Sequence, residues 1–283
     1  MKYAITLASF RNIEPLEDTL ATLAKQGYDA MEMFGEPGEV DTKKLLDSLK
    51  SYGLPVCGVT GMWGSISSSG WKRRLLSSDP AIVQASEQYV IDCLQFCNNL
   101  GGHEMNVCLF ADDTRGVDRT HRTISASEKE IFAAKAVPLM RRLARKAADY
   151  GIQLLLEPLN RYSTPYCATA KDAVTIAKQV ESLGVLLDTF HMNIEEDAFK
   201  DALEASCKFL RHLHFADNNR KMPGFAHIDF ASIIESLNEI GYHSYISFEP
   251  NISDKNYQDA TKYGLDFIKG IVKCKTNTNP DNQ

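Results

Sequence analysis

Short apolar runs alternate with longer amphipathic stretches from one end of the chain to the other. Eight runs read as strands: residues 3–9 (YAITLAS), 29–34 (DAMEMF), 55–61 (PVCGVTG), 104–110 (EMNVCLF), 152–158 (IQLLLEP), 185–190 (VLLDTF), 210–217 (LRHLHFAD) and 245–250 (YISFEP). They are short and rich in apolar residues, as strands of a helix-covered parallel sheet are. Helical spacing of apolar positions marks residues 16–27, 42–53, 81–102, 133–151, 170–184, 199–210, 230–242 and 257–272. Gly27, Gly53, Gly151 and Gly184 stand just before the following strands, where left-handed C-terminal caps are expected.

Eight strand–helix units predict an α/β fold, a (β/α)8 TIM barrel in a single domain over residues 1–274, followed by a polar tail at 275–283. An open, doubly wound sheet would favour a glycine-rich phosphate loop after the first strand. Residues 8–15 (ASFRNIEP) carry none, and residues 58–64 (GVTGMWG) lack the GxGxxG spacing. The 283 residues also suit one barrel, which takes about 250.

Composition narrows the function. A net charge of −6 without a basic stripe argues against a nucleic-acid partner. The N-terminus reads as a strand, not a secretory signal. No run approaches the roughly 18 apolar residues of a membrane span. Seven cysteines without paired spacing predict reduced thiols and a cytoplasmic location, with Cys93 and Cys97 as core residues.

Four candidate metal ligands, Glu157, Asp188, His214 and Glu249, end four successive strands, where such a barrel places its catalytic groups. Strand alternation puts Glu157 with Leu155, His214 with His212, and Glu249 with Ser247 on one face, opposite Leu156, Leu213 and Phe248. All four then point into the barrel at one rim. Each alone has a structural explanation, such as an ion pair between Glu157 and Arg161. Together, three clustered carboxylates would repel unless a cation joined them. Oxygen-rich ligands with one imidazole suit Mn²⁺ or Mg²⁺ better than structural zinc. Asn106 reads as an inward barrel residue. The long segments 61–80 and 111–128 follow strands and are expected to shape the site. Trp63 and Trp71 could wall a small ligand.

Residues 154–162 (LLLEPLNRY), 185–197 (VLLDTFHMNIEED), 212–220 (HLHFADNNR), 240–250 (IGYHSYISFEP) and 77–90 (SSDPAIVQASEQYV) resemble the xylose-isomerase-like barrel superfamily, closest to its D-tagatose and D-psicose (allulose) 3-epimerases and related sugar isomerases. The resemblance implies one Mn²⁺, Co²⁺ or Mg²⁺ held by Glu157, Asp188, His214 and Glu249, with no organic cofactor. It implies that Glu157 and Glu249 are also the acid/base pair for C3 epimerisation or aldose–ketose isomerisation through an enediolate. His191 and Arg220 would hydrogen-bond substrate oxygens, and a homodimer or homotetramer would be the assembly. Inosose dehydratase and hydroxypyruvate isomerase are related alternatives. An AP endonuclease or a non-catalytic sugar-binding barrel are remoter ones. Two departures bear on substrate identity. Ser163 stands where ketohexose enzymes commonly carry a glutamate, and Ala226 and His227 interrupt a glycine-rich segment. The substrate is therefore expected to be a sugar or a sugar phosphate, with Arg73, Arg74 and Arg161 as candidate phosphate contacts.

Overall fold

The computed structural model describes residues 1–11, 13–62, 72–112, 124–253 and 255–277. Strands β1 (Lys2–Thr6), β2 (Ala30–Phe34), β3 (Val56–Thr60), β4 (Glu104–Val107), β5 (Gln153–Leu156), β6 (Leu183–Asp188), β7 (Leu210–Phe215) and β8 (Tyr245–Phe248) pair in parallel, in sequence order. β8 returns to β1, with Tyr3 opposite Ile246, so the barrel is closed and the expected fold is present.

The helices are α1 (Leu16–Gln26), α2 (Thr42–Tyr52), α3 (Pro80–Asn99), α4 (Ala126–Asp149), α5 (Ala170–Ala177), α6 (Thr189–Glu195), α7 (Phe199–Ser206), α8 (Phe230–Glu239) and α9 (Gln258–Asn277). Most start on the side chain that sequence logic requires. Asp41, Asp79 and Asp229 cap α2, α3 and α8, and Ser125 and Thr169 build capping boxes on α4 and α5. α9 continues to Asn277, past the expected boundary at 274. No helix among the described residues is long and apolar enough to cross a membrane.

Alternation divides each strand between two environments. Leu154, Leu156, Leu187, Leu213, Phe215, Ile246 and Phe248 join one large apolar cluster with Met140 and Leu143 of α4 and Val174 of α5. Ala4, Ala30, Cys57 and Tyr245 form a separate small cluster. Other strand positions carry buried polar groups, among them Glu32, Glu104, Asn106, His212, His214 and Ser247. Cys93 and Cys97 are buried free thiols, as expected.

The four expected glycine caps met different outcomes. Gly27 and Gly53 are left-handed C-caps, and Gly151 takes φ +69 just beyond α4. Gly184 is not a cap. α5 stops at Ala177, Ser182 takes the left-handed turn (φ +61), and Gly184 lies inside β6. There a Cβ would come within 2.6 Å of the Leu155 side chain and 2.8 Å of Arg211, so close packing requires glycine. Gly58 in β3 is tighter still, because its Cβ would lie 2.6 Å from the Glu104 carbonyl oxygen, which is backbone and cannot turn away. Gly58→Ala is expected to destabilise the barrel by about 1–3 kcal/mol. Equilibrium urea unfolding would detect it as a lower midpoint at unchanged slope.

Candidate metal centre and active site

The four predicted ligands come together. One ligand atom each from Glu157, Asp188, His214 and Glu249 lies within 4.8 Å of the others, and none of these residues is more than 4% exposed. Their backbones are pinned by the barrel itself. Glu157 N–H donates to the Val107 carbonyl and Glu249 N–H to the Phe215 carbonyl, both at 3.0 Å, extending the ladders one residue past β5 and β8. Asp188 ends β6 and caps α6, its Oδ1 accepting from Phe190 N–H at 2.8 Å, which leaves Oδ2 for the site. His214 stands opposite Asp188 on one side and Ser247 on the other.

The donor set fits a divalent cation. His214 Nδ1 is buried 3.2 Å from Glu249 Oε2 and 3.8 Å from Glu157 Oε1, yet makes no hydrogen bond. An imidazole lone pair amid three carboxylates is a site for a hard or borderline ion. The electrostatics agree. Burial, with Glu249 and Asp188 nearby, pushes the Glu157 carboxyl up to about 8 despite His214. A cation there would act in the opposite sense. Burial also works against charge on Asp188, but Arg220, His191 and His214 outweigh it and hold that carboxyl at about 2.

Arg220 spans the site, its guanidinium donating to Asp188 Oδ2 and Glu249 Oε2 and stacking on the Phe190 ring at 4.9 Å. Its backbone has φ +58, a left-handed conformation costly for a side-chain-bearing residue. Two backbone bonds hold it there, Arg220 N–H to the Asp217 carbonyl (2.8 Å) and Asn251 N–H to the Arg220 carbonyl (2.7 Å). The loop is tied further by the fully buried Asp217 carboxylate, which accepts from the N–H groups of Asn218, Gly224, Ala226 and Ile228 at 2.9–3.1 Å. Asp217→Ala would orphan several of these donors and is expected to cost roughly 2–3 kcal/mol. Because the loop that carries Arg220 would loosen, although its backbone bond to the residue 217 carbonyl remains, KM should rise more than kcat falls, which steady-state kinetics on the folded variant would check.

His191, on α6, lies at the same rim, its Nε2 3.8 Å from Asp188 Oδ2. Its Nδ1 lies 2.8 Å from the Asn160 amide nitrogen, and Asn160 Oδ1 already accepts from Tyr162 N–H. The amide therefore donates, which places the His191 proton on Nε2. Ser163 is half-buried in the same turn, its N–H donating to the Asn160 carbonyl, and no hydrogen bond among the described residues joins it to the four ligands. Arg161 does not pair with Glu157. Its backbone and guanidinium both bind Glu195 instead. Arg73 forms a two-pronged pair with buried Glu36, and Arg74 lies 3.2 Å from Asp112. Trp63 and Trp71 lie outside the described residues.

Asn106 is inward as expected, and it touches the site. Its Nδ2 donates to Glu157 Oε2 at 2.5 Å, and its Oδ1 accepts from Gly61 N–H. The buried group Glu32, Glu104 and His212 beneath His214 was not anticipated. One signal for it was available, since a lone glutamate in the apolar run AMEMF is costly unless partnered.

The xylose isomerase-like TIM barrel family matches residues 20–271. The chain belongs to this family. D-psicose 3-epimerase of Ruminiclostridium cellulolyticum is 31% identical over 280 residues, covering 89% of this chain and 90% of that protein. The ketose 3-epimerase of Arthrobacter globiformis is 30% identical over 79% of this chain and 73% of its own length. A crystal structure of the Clostridium cellulolyticum H10 D-psicose 3-epimerase with D-tagatose superposes with a TM-score of 0.79 at 27% identity, covering 96% and 99% of the two chains. Within the xylose isomerase-like barrels this chain therefore sits among the ketose 3-epimerases, which are carbohydrate isomerases.

Proposed function

We propose that the protein is a divalent-cation-dependent ketose 3-epimerase, acting on an unphosphorylated ketose. The observation that carries this is the convergence of Glu157, Asp188, His214 and Glu249 around one point, with His214 Nδ1 left without a hydrogen-bond partner. Glu157, Asp188, His214 and Glu249 would hold the ion, Mn²⁺ being the best match. When bound, the ion would supply Lewis-acid stabilisation of the charge that develops on the ketose carbonyl oxygen.

The protein's own groups account for the rest. Glu157 and Glu249 leave β5 and β8, on different sides of the barrel mouth, and each serves one face of C3. One removes the proton and the other returns a proton from the opposite side, which inverts the carbon. Arg220 donates to substrate oxygens that carry enediolate charge, and His191 offers its Nε2–H to a neighbouring hydroxyl. Ser163, half-buried in the turn beside Asn160, serves as a further substrate contact. A free sugar is favoured over a phosphate ester because Arg73, Arg74 and Arg161 already face their own carboxylates.

The test is isotope exchange in D₂O. Mn²⁺-loaded protein would be mixed with D-fructose, D-psicose, D-tagatose, L-ribulose and the corresponding phosphates. Deuterium is expected at C3 of at least one free ketose, together with its C3 epimer, and not in the phosphates. Exchange at C1 with aldose formation would make the protein an isomerase instead. No exchange in any ketose would sink the reading.

A further inference from the structure

Beneath the four ligands the barrel holds a second buried polar group, made from residues of β2, β4 and β7 that the proposed chemistry does not use. Glu32 of β2 is 3% exposed and lies in a strand otherwise apolar. Its Oε2 is 3.0 Å from His214 Nε2. His212, two residues earlier on β7, places its Nε2 3.7 Å from the same oxygen, too far for a hydrogen bond, while its Nδ1 lies 2.7 Å from Glu104 Oε2 on β4. Two carboxylates and two imidazoles thus alternate in a chain that ends at His214 Nδ1.

A carboxylate only accepts hydrogen bonds, so its imidazole partner must carry its proton on the facing nitrogen. At 3.0 Å from Glu32, His214 is therefore protonated on Nε2. Its Nδ1 lies 3.2 Å from Glu249 Oε2 without a hydrogen bond, so the ring can ligate a cation there once any proton on Nδ1 is displaced. The same logic puts the His212 proton on Nδ1, facing Glu104. A metal-binding histidine needs its ligating nitrogen free, and a hydrogen bond at the other nitrogen selects that tautomer and aims the ring.

We infer that Glu32 is a positioning residue for the cation site: it accepts the Nε2–H of His214 and so presents Nδ1 to Glu157, Asp188 and Glu249, while Glu104 orients His212 beside it. This deepens the proposed function and rests on its cation site. Glu32 itself touches neither the substrate nor the ion. Glu32→Gln is the informative change, since it keeps the shape but adds an amide N–H. Donated to His214 Nε2, that N–H would drive the ring proton to Nδ1 and block the ligand. Glu32→Asp retains the acceptor on a shorter stem.

Two readouts separate this role from a merely structural one. Mn²⁺ titration of the metal-stripped full chain by calorimetry is expected to show affinity reduced roughly 10- to 100-fold in Glu32→Gln, with part of it restored in Glu32→Asp. Nitrogen-15 NMR of histidine-labelled protein loaded with diamagnetic Mg²⁺, with His214 assigned by its loss in His214→Asn, should show the ring proton on Nε2. A Mg²⁺-loaded parent protein whose His214 carries its only ring proton on Nδ1 would overturn the inference even if the variants failed to fold. So would Glu32→Gln binding Mn²⁺ within twofold of the parent. Failure of the parent to bind Mn²⁺ at all would instead remove the cation site itself, and the inference with it.

Discussion

Replacing Glu157 with glutamine is expected to lower the epimerisation rate by about 10²–10⁴-fold, the range for losing one acid/base group. The change keeps the side-chain volume and one oxygen that can still face the cation, so the folded barrel should persist. In the proposed mechanism the two glutamates serve opposite faces of C3. In Glu157→Gln, Glu249 can still remove and return a proton on its own face. One of the two epimers should therefore exchange its C3 hydrogen with D₂O without turning into the other. Glu249→Gln should show the mirror behaviour, with exchange confined to the opposite epimer. Proton NMR of both ketoses in D₂O measures exchange and inversion in one experiment. Epimerisation by either variant within a few-fold of the parent would remove that glutamate from the proton-transfer pair.

Stripping the divalent cation is expected to abolish turnover and to destabilise the fold together. Ligand linkage gives about 2.7 kcal/mol of stabilisation when the free ion is at 100 times its dissociation constant. For a chain of this length that corresponds to a fall in Tm of about 5 °C on chelation. Mn²⁺ should restore both activity and Tm, and the midpoint should rise with the logarithm of its concentration. The physical origin is plain in the structure, where three buried carboxylates meet one imidazole and one guanidinium. Without the ion that group is held by Arg220, Asn106 and proton uptake on Glu157. A Tm indifferent to chelator and to Mn²⁺ would contradict a cation at this position.

Much of the fold was legible because strand and helix periods differ so clearly here. The apolar runs ending in Glu157, Asp188, His214 and Glu249 alternate on a two-residue period, so parity alone placed their side chains inside the barrel. Helix ends were legible where local chemistry decides them, as at Gly27 and Gly53, and not where tertiary packing does. Gly184 looked like a cap and proved to be a strand residue squeezed between Leu155 and Arg211. The additional helix α6 was hidden because its first turn follows β6 directly, so the apolar run gave no break between them. Pairings such as Arg161 with Glu195 and Asp217 with its loop amides depend on which turns come face to face, and no periodicity encodes that.

Asp188 contributes one oxygen to the first turn of α6 and the other to the ligand cluster, and His191 lies on that same turn. The proposed ion's anchor and the imidazole proposed to face the sugar are thus welded into a single short lever. A substitution that tilts this lever should loosen grip on the metal and on the ketose in step, so that neither affinity can be tuned there alone.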